Sequence, residues 1–258
     1  MFIDFRNGDS LDLIADLKAK GVKIDILLTD PPYMIDYKSE KVKKVNRRKL
    51  HNDTELNTKI IRKVLYAAEE ILAENAAIFC FTSWQKVEFF KQIMTEIGTL
   101  RSCIVWHKNA GGMGDLKRDF SPSYELILYA TKGEIELPYR YMDFIAQGRT
   151  TGSNKSFHPT QKPVDLLRWL IRAVKGYDIQ YNLLDPFAGS GSSLLAGYME
   201  NCNCYGAELD PKYHKQGIEW LTRSTRQQDI MHHEQIEIFD TTKKEEVDES
   251  EYTKGDSQ

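Results

Sequence analysis

Two segments constrain this chain more than any others: "LLTDPPY" (27–33) and "LLDPFAGSG" (183–191). Each is a short apolar run closed by Asp-Pro. Runs of this length bounded by turns read as buried strands, and such strands belong to parallel sheets covered by helices. Strand and helix patterns alternate around them. "ELNTKIIRKVLYAAEEILAE" (55–74) has helical apolar spacing, "AAIFCFTSW" (76–84) reads as a buried strand, and "QKVEFFKQIMTEIG" (85–98) as a helix closed by Gly98. "RSCIVWHK" (101–108) and "YELILYATK" (124–132) read as strands expected to pair antiparallel at a sheet edge. A polar stretch from about 133 to 157 precedes "HPTQKPVDLLRWLIRAVKG", a helix with Pro163 at its first turn. Residues 181–221 then read strand, glycine loop, helix, strand, helix. The expectation is an α/β fold with a mostly parallel sheet, an antiparallel edge strand and helices on both faces.

Composition narrows the class. With 258 residues, 41% hydrophobic and 28% charged, the chain reads as a soluble globular protein. "MFIDFRNGDS" has no export leader, and no apolar run reaches the roughly 18 residues of a membrane span, so a cytoplasmic protein without a membrane partner is expected. The four cysteines fit a reduced interior, and "CNC" at 202–204 is too small a cluster to predict a metal. Charge is polarised. Residues 37–51 hold seven Lys or Arg against one Glu, while residues 234–258 hold nine acids against three bases. The first run reads as a basic loop (about 37–53), the second as part of a solvated acidic tail, 223–258.

Gly189 and Gly191 stand just past one strand and at the mouth of a helix, where they permit a tight turn and close approach of a ligand. The helix start offers free N–H groups to an anion. Glu208 follows at the end of the next strand, at the offset that suits a ribose diol. Leu194 occupies the place of a third fingerprint glycine, which argues against a dinucleotide. An adenosine ligand carrying a carboxylate fits better, and S-adenosylmethionine is such a ligand. In "DPPY" the prolines fix φ and remove N–H donors, leaving Asp30 and the Pro31 carbonyl as two acceptors in a rigid frame. An exocyclic NH₂ of a nucleobase supplies the two matching donors. Tyr33 gives a face for stacking, worth about 1–3 kcal/mol. Two acceptors holding an aryl amine favour a pyramidal nitrogen aimed at the sulfonium methyl, so catalysis would be positioning and preorganisation.

Here the sequence resembles the amino-group DNA methyltransferases, in the permuted group whose catalytic motif precedes the cofactor motif, over about residues 1–222. The resemblance implies a Rossmann-like methyltransferase fold and a single methyltransferase domain over that span. It also implies that the catalytic strand and the cofactor strand lie side by side. Asp30, Pro31, Pro32 and Tyr33 take the catalytic positions; Asp185, Phe187, Gly189 and Gly191 the cofactor loop; Glu208 the ribose acid. "NGDS" places Asp9 at the cofactor adenine, and "HPTQKP" places Thr160, Lys162 and Pro163 at the methionine end. Relatives acting on cytosine N4 usually carry Ser in place of Asp30, so adenine N6 is the expected target, with cytosine N4 as the alternative. A methyltransferase on an RNA base or glutamine, and an inert DNA-binding module, are the readings from other classes.

The target amine lies inside double-stranded DNA, so the base must be flipped out. Backbone grip is expected from Lys38, Lys41, Lys43, Lys44, Arg47 and Arg48 of the basic loop, and from Lys117 and Arg118. The small recognition region at about 133–157 offers Arg140, Gln147, Arg149, Asn154 and Lys155 as readers of base edges. So small a reader suggests a homodimer. A cognate restriction endonuclease is a further candidate partner.

Overall fold

A computed structural model describes residues 1–32, 54–111, 117–148, 161–176 and 179–226. The chain divides into two units, Met1–Ile218 and Glu219–Gln258. Of the second, residues 219–226 are described and helical.

The first unit is built on one eight-stranded sheet. In chain order its elements are β1 (Ile3–Asn7), α1 (Ser10–Ala19), β2 (Ile24–Thr29), α2 (Thr54–Glu70), β3 (Leu72–Thr82), α3 (Val87–Ile97), β4 (Thr99–His107), β5 (Tyr124–Lys132), β6 (Phe144–Ala146), α4 (Val164–Val174), β7 (Tyr181–Asp185), α5 (Ser192–Met199) and β8 (Cys202–Glu208). Residues 211–218 add a further helical stretch. The strands lie in the order β1-β8-β7-β2-β3-β5-β4-β6. All neighbours pair in parallel except across β5, which runs antiparallel to both β3 and β4.

The two Asp-Pro strands are neighbours, as the resemblance implied: Ile26 and Leu27 of β2 pair with Leu183 and Leu184 of β7. From this seam the chain winds both ways. The β2–α2–β3 crossover steps to one side, and β7–α5–β8 steps to the other. Right-handed crossovers stepping in opposite directions put their helices on opposite faces of the sheet. The contacts agree, with α1, α2 and α3 packed in series and α4 packed on α5. Side chains alternate along β3 to match. Ile78 and Cys80 join Ile61, Leu65, Phe90 and Met94 in the core under α2 and α3, while Phe79 stacks on Tyr129 at a centroid distance of 4.9 Å.

The antiparallel strand requires a correction. β4 and β5 do pair antiparallel, but neither is an edge: β5 inserts between β3 and β4, and β6 pairs outside β4. β6 is only three residues long and arises within the polar stretch 133–157, where no strand was expected. Its Phe144 stacks on His107 at 6.1 Å, and the Trp106 indole donates to the Gln147 carbonyl at 2.8 Å. Tertiary contacts thus make a strand of a segment with no periodicity of its own. β1 and α1 were also unassigned from sequence, although Leu13, Ile14 and Leu17 have helical spacing and are all buried.

The missing third glycine has a structural substitute. Gly197, one turn further along α5, lies so close to β8 that a Cβ there would sit 2.6 Å from Cys204 Sγ and 3.2 Å from a Leu183 methyl. Gly197→Ala would gain up to about 1 kcal/mol of helix propensity but overpack this seam by about 1–3 kcal/mol. Overpacking should win, lowering stability by roughly 1–2 kcal/mol. Chemical denaturation of the two proteins checks this, and an equal or higher midpoint for the variant would contradict the close approach.

Candidate active site

Ligands in open α/β sheets bind beyond the carboxyl ends of the strands, at the point where the winding reverses. That point is the β7–β2 seam. Along this edge the order β1, β8, β7, β2 places Asp9, Glu208, Asp185 and Asp30 in a row, one acid beyond or at the end of each strand. At about 4.8 Å per strand the row spans roughly 14 Å.

The β1–β8–β7 half is tied together by the backbone. The Asn7 side chain and the Gly8 N–H both donate to the Glu208 carbonyl, at 2.8 and 3.1 Å. Asp9 is the N-cap of α1, accepting from Leu11 N–H at 2.9 Å. Ser10 Oγ donates to the Pro186 carbonyl at 2.5 Å, drawing the start of α1 to the loop after β7. In that loop Gly189 and Gly191 have φ of 53° and 80°, the left-handed region that penalises a Cβ. The Gly191 N–H closes a turn onto the Ala188 carbonyl at 2.7 Å, and α5 begins at the next residue. The Glu208 carboxylate accepts from the amides of Asp210 and Gly189, while burial raises its pKa above the ordinary range.

Asp185 holds the turn from inside. It is buried, accepts from the Phe187 amide at 3.0 Å and from the Ser193 hydroxyl, and so ties β7 to the first turn of α5. Burial pushes its pKa up to about 7 against those hydrogen bonds, and the charge on Asp30 adds to the rise.

Asp30 continues β2, with Pro31 buried and Pro32 exposed beyond it. Lys162, one residue before the α4 N-cap Pro163, donates to Asp30 Oδ2 at 2.5 Å. Its ammonium also lies 3.2 Å from Glu125 Oε2 and 5.0 Å from the Phe81 ring centre. Lys108 meets the other Glu125 oxygen at 2.5 Å. Lys162 was expected at the cofactor's methionine end; the structure pairs it directly with Asp30. Burial opposes charge on Lys162, but Asp30 and Glu125 outweigh it and raise its pKa. Burial likewise opposes charge on Glu125, and the two lysines outweigh it.

The sequence pointed to Lys162 but missed Glu125, Lys108 and Ser193. A Glu and a Lys at strand ends look solvated until three strands and α4 converge on them. Among the DNA-contact candidates, Lys117 and Arg118 are exposed. Arg140 lines a cavity of about 470 Å³ with Tyr129, Tyr141 and Trp169 on the α4 side of the sheet. Tyr33, Lys38, Lys41, Lys43, Lys44, Arg47, Arg48, Arg149, Asn154, Lys155 and Thr160 lie outside the described residues.

A mostly parallel sheet wound both ways from a glycine-turn strand, with an acid at the end of the next strand, is a Rossmann-like fold of the kind found in DNA methyltransferases. A family model described as DNA methylase matches residues 24–219. The chain belongs to this N6/N4 DNA methylase family and is an S-adenosylmethionine-dependent DNA methyltransferase. It is 24% identical to the type II methyltransferase M2.MboI of Moraxella bovis over 245 residues, covering 85% of each chain. It is 23% identical to the DNA adenine methyltransferase YhdJ of Escherichia coli K12 over 251 residues, covering 83% of this chain and 81% of YhdJ. The fold is similar to that of M1.HpyAVI solved with S-adenosylmethionine, with TM-score 0.66, 22% identity, and coverage of 84% of this chain and 98% of that one.

Asp185 makes the site's stability pH-dependent. Its folded pKa lies above the unfolded value, so between about pH 4 and 7 the folded state holds a proton that the unfolded state has lost. Stability from this group therefore falls as pH rises through that window, by at most about 1.4 kcal/mol per unit. Asp185→Asn should remove this falling component. Urea midpoints at pH 5 and 7.5 for both proteins measure it, and parallel pH dependence in the two would show an ordinary carboxylate.

Proposed function

We propose that the chain methylates the exocyclic N6 of adenine in duplex DNA, acting on a base flipped into the edge of the β2–β7 seam. The observation that carries this reading is the adjacency of β2 and β7, which sets the Asp-Pro-Pro acceptors beside the glycine turn. Asp30 follows β2 directly and is ion-paired with Lys162. A carboxylate and a neighbouring proline carbonyl suit the two hydrogens of an amino group. Tyr33, the fourth residue of the motif, is assigned to stacking on the flipped base from its position in the sequence.

The residues of the other three strand ends fit S-adenosylmethionine. Glu208 is assigned to the ribose hydroxyls, Asp9 and Phe187 to the adenine side, and Gly189, Gly191 and Asp185 to the methionine end, with Pro163 and Thr160 of the "HPTQKP" motif beside them. When bound, the cofactor supplies an electrophilic methyl on a sulfonium. Asp30 and the Pro31 carbonyl would hold the amine so that its lone pair is free for that methyl, and Asp30 would offset the positive charge that the nitrogen gains. The surplus proton then passes to Asp30 or to solvent, since Asp30 and Glu125 leave Lys162 holding its own. No covalent enzyme intermediate is required. Arg140, Gln147, Arg149, Asn154 and Lys155 are assigned to base edges and the basic loop to the DNA backbone, on a domain ending near residue 222.

Tritiated S-adenosylmethionine and unmethylated duplex DNA test the reading. Asp30→Ala should lower methyl transfer by about 10³-fold, as for loss of a preorganised transition-state partner, with cofactor affinity changed by less than about 1 kcal/mol. A wild-type rate would remove Asp30 from the chemistry. Glu208→Ala should instead weaken cofactor binding by about 1–3 kcal/mol, read by calorimetry. Nucleoside analysis of genomic DNA after expression in a methylation-deficient host should show N6-methyladenine. N4-methylcytosine there would move the assignment to the other base of the same family.

A further inference from the structure

Asp30 ends a row of four charges that crosses the other half of the sheet edge. From β2 to β4 the signs alternate: Asp30, Lys162, Glu125, Lys108. The contacts are 2.5, 3.2 and 2.5 Å, and the side chains are 20%, 7%, 17% and 11% exposed. Three strand ends and the start of α4 contribute one member each: Asp30 after β2, Glu125 in the first turn of pairing of β5, Lys108 after β4, and Lys162 before α4. Phe81 and Trp106 floor the row, with the ammonium groups of Lys162 and Lys108 at 5.0 and 5.4 Å from their ring centres.

Stability alone is a poor reason for such a row. Desolvating four charges costs several kcal/mol per ion, and apolar side chains of similar volume often serve a fold as well or better. What the row does provide is placement. Glu125 draws on the ammonium of Lys162 from the side away from Asp30, and Lys108 holds Glu125 in turn. Lys162 is thereby held at one oxygen of Asp30, Oδ2.

We propose that Glu125 and Lys108 are positioning residues for methyl transfer, acting through Lys162 to orient the Asp30 carboxylate. This rests on the assignment of Asp30 as the amine's acceptor. Glu125→Gln leaves Lys108 and Lys162 as two cations against one carboxylate. Lys108→Met in the same chain removes the cation that Glu125 no longer balances, leaving Lys162 to Asp30.

The test uses the full-length chain, tritiated S-adenosylmethionine and unmethylated plasmid DNA, with kcat and KM measured separately. Glu125→Gln should lower kcat about 10²-fold, the scale of a displaced catalytic group, while KM for DNA and the cofactor dissociation constant change less than about 3-fold. Glu125→Gln with Lys108→Met should recover about 10-fold of that loss. A kcat within about 2-fold of wild type for Glu125→Gln overturns the proposal, as does a folded double variant no faster than the single one. If Glu125→Gln does not fold, Lys108→Met alone decides: a kcat reduced about 3- to 10-fold supports the row, and an unchanged kcat overturns it. Failure of the acceptor assignment is read separately, from Asp30→Ala in the same assay.

Discussion

The parallel pairing of β2 with β7 is the contact on which the remaining structure depends. It joins residues more than 150 positions apart and brings the Asp-Pro-Pro turn beside the glycine turn. Parallel strands cannot be joined by a tight turn, so the intervening chain must form its own layers. It does so by winding away from the seam in both directions, which covers each face of the sheet with helices and leaves the edge open where the winding reverses. A one-residue slip in register would turn Leu27 and Leu184 to the wrong faces and separate the two Asp-Pro ends. The core under α1, α2 and α3, where Leu27 and Leu184 are both fully buried, therefore also sets the geometry of the site.

The site divides at this seam into two electrostatic halves. On the β1–β8–β7 side the acids are held by backbone amides and hydroxyls: Leu11 N–H for Asp9, Asp210 N–H for Glu208, Phe187 N–H and Ser193 for Asp185. Hydrogen bonds of that kind fix the acids against the chain, while burial raises the pKa of Asp185 and Glu208. On the β3–β5–β4 side the acids are matched by lysines at contact distance. That arrangement fixes side chains and leaves no net charge. Asp30 stands at the joint. Its charge raises the pKa of Asp185 on one side and that of Lys162 on the other, so the two halves are linked through a single carboxylate.

Much of this was legible because it is local. The apolar runs of β2, β3 and β7 are too short for helices and too apolar for loops, and "DPPY" and "DPFAGSG" carry their chemistry in adjacent residues. Gly189 and Gly191 could be read from the turn that a strand-to-helix junction requires, and their positive φ follows from it. The less legible parts are those whose meaning comes from remote partners. Nothing near Glu125 in "YELIL" distinguishes it from a solvated strand end, since its partners Lys108 and Lys162 arrive from β4 and α4. β6 exists because β4 offers an unpaired edge to Phe144–Ala146, and α5 tolerates Leu194 in place of a glycine because Gly206 of β8 leaves room for its side chain.

By itself the sequence determined the alternation of strands and helices, the two turns and the residue types within them, because propensity, proline and glycine act over a few residues. It also determined the family, through motifs whose order and spacing are a property of the chain. Only the tertiary structure decided which carboxylates share an edge, that Lys162 meets Asp30, and that Glu125 and Lys108 extend that pair into a row. The physical reason is range. Burial and ion pairing act between groups that the sheet brings within a few ångströms, whatever their separation along the chain.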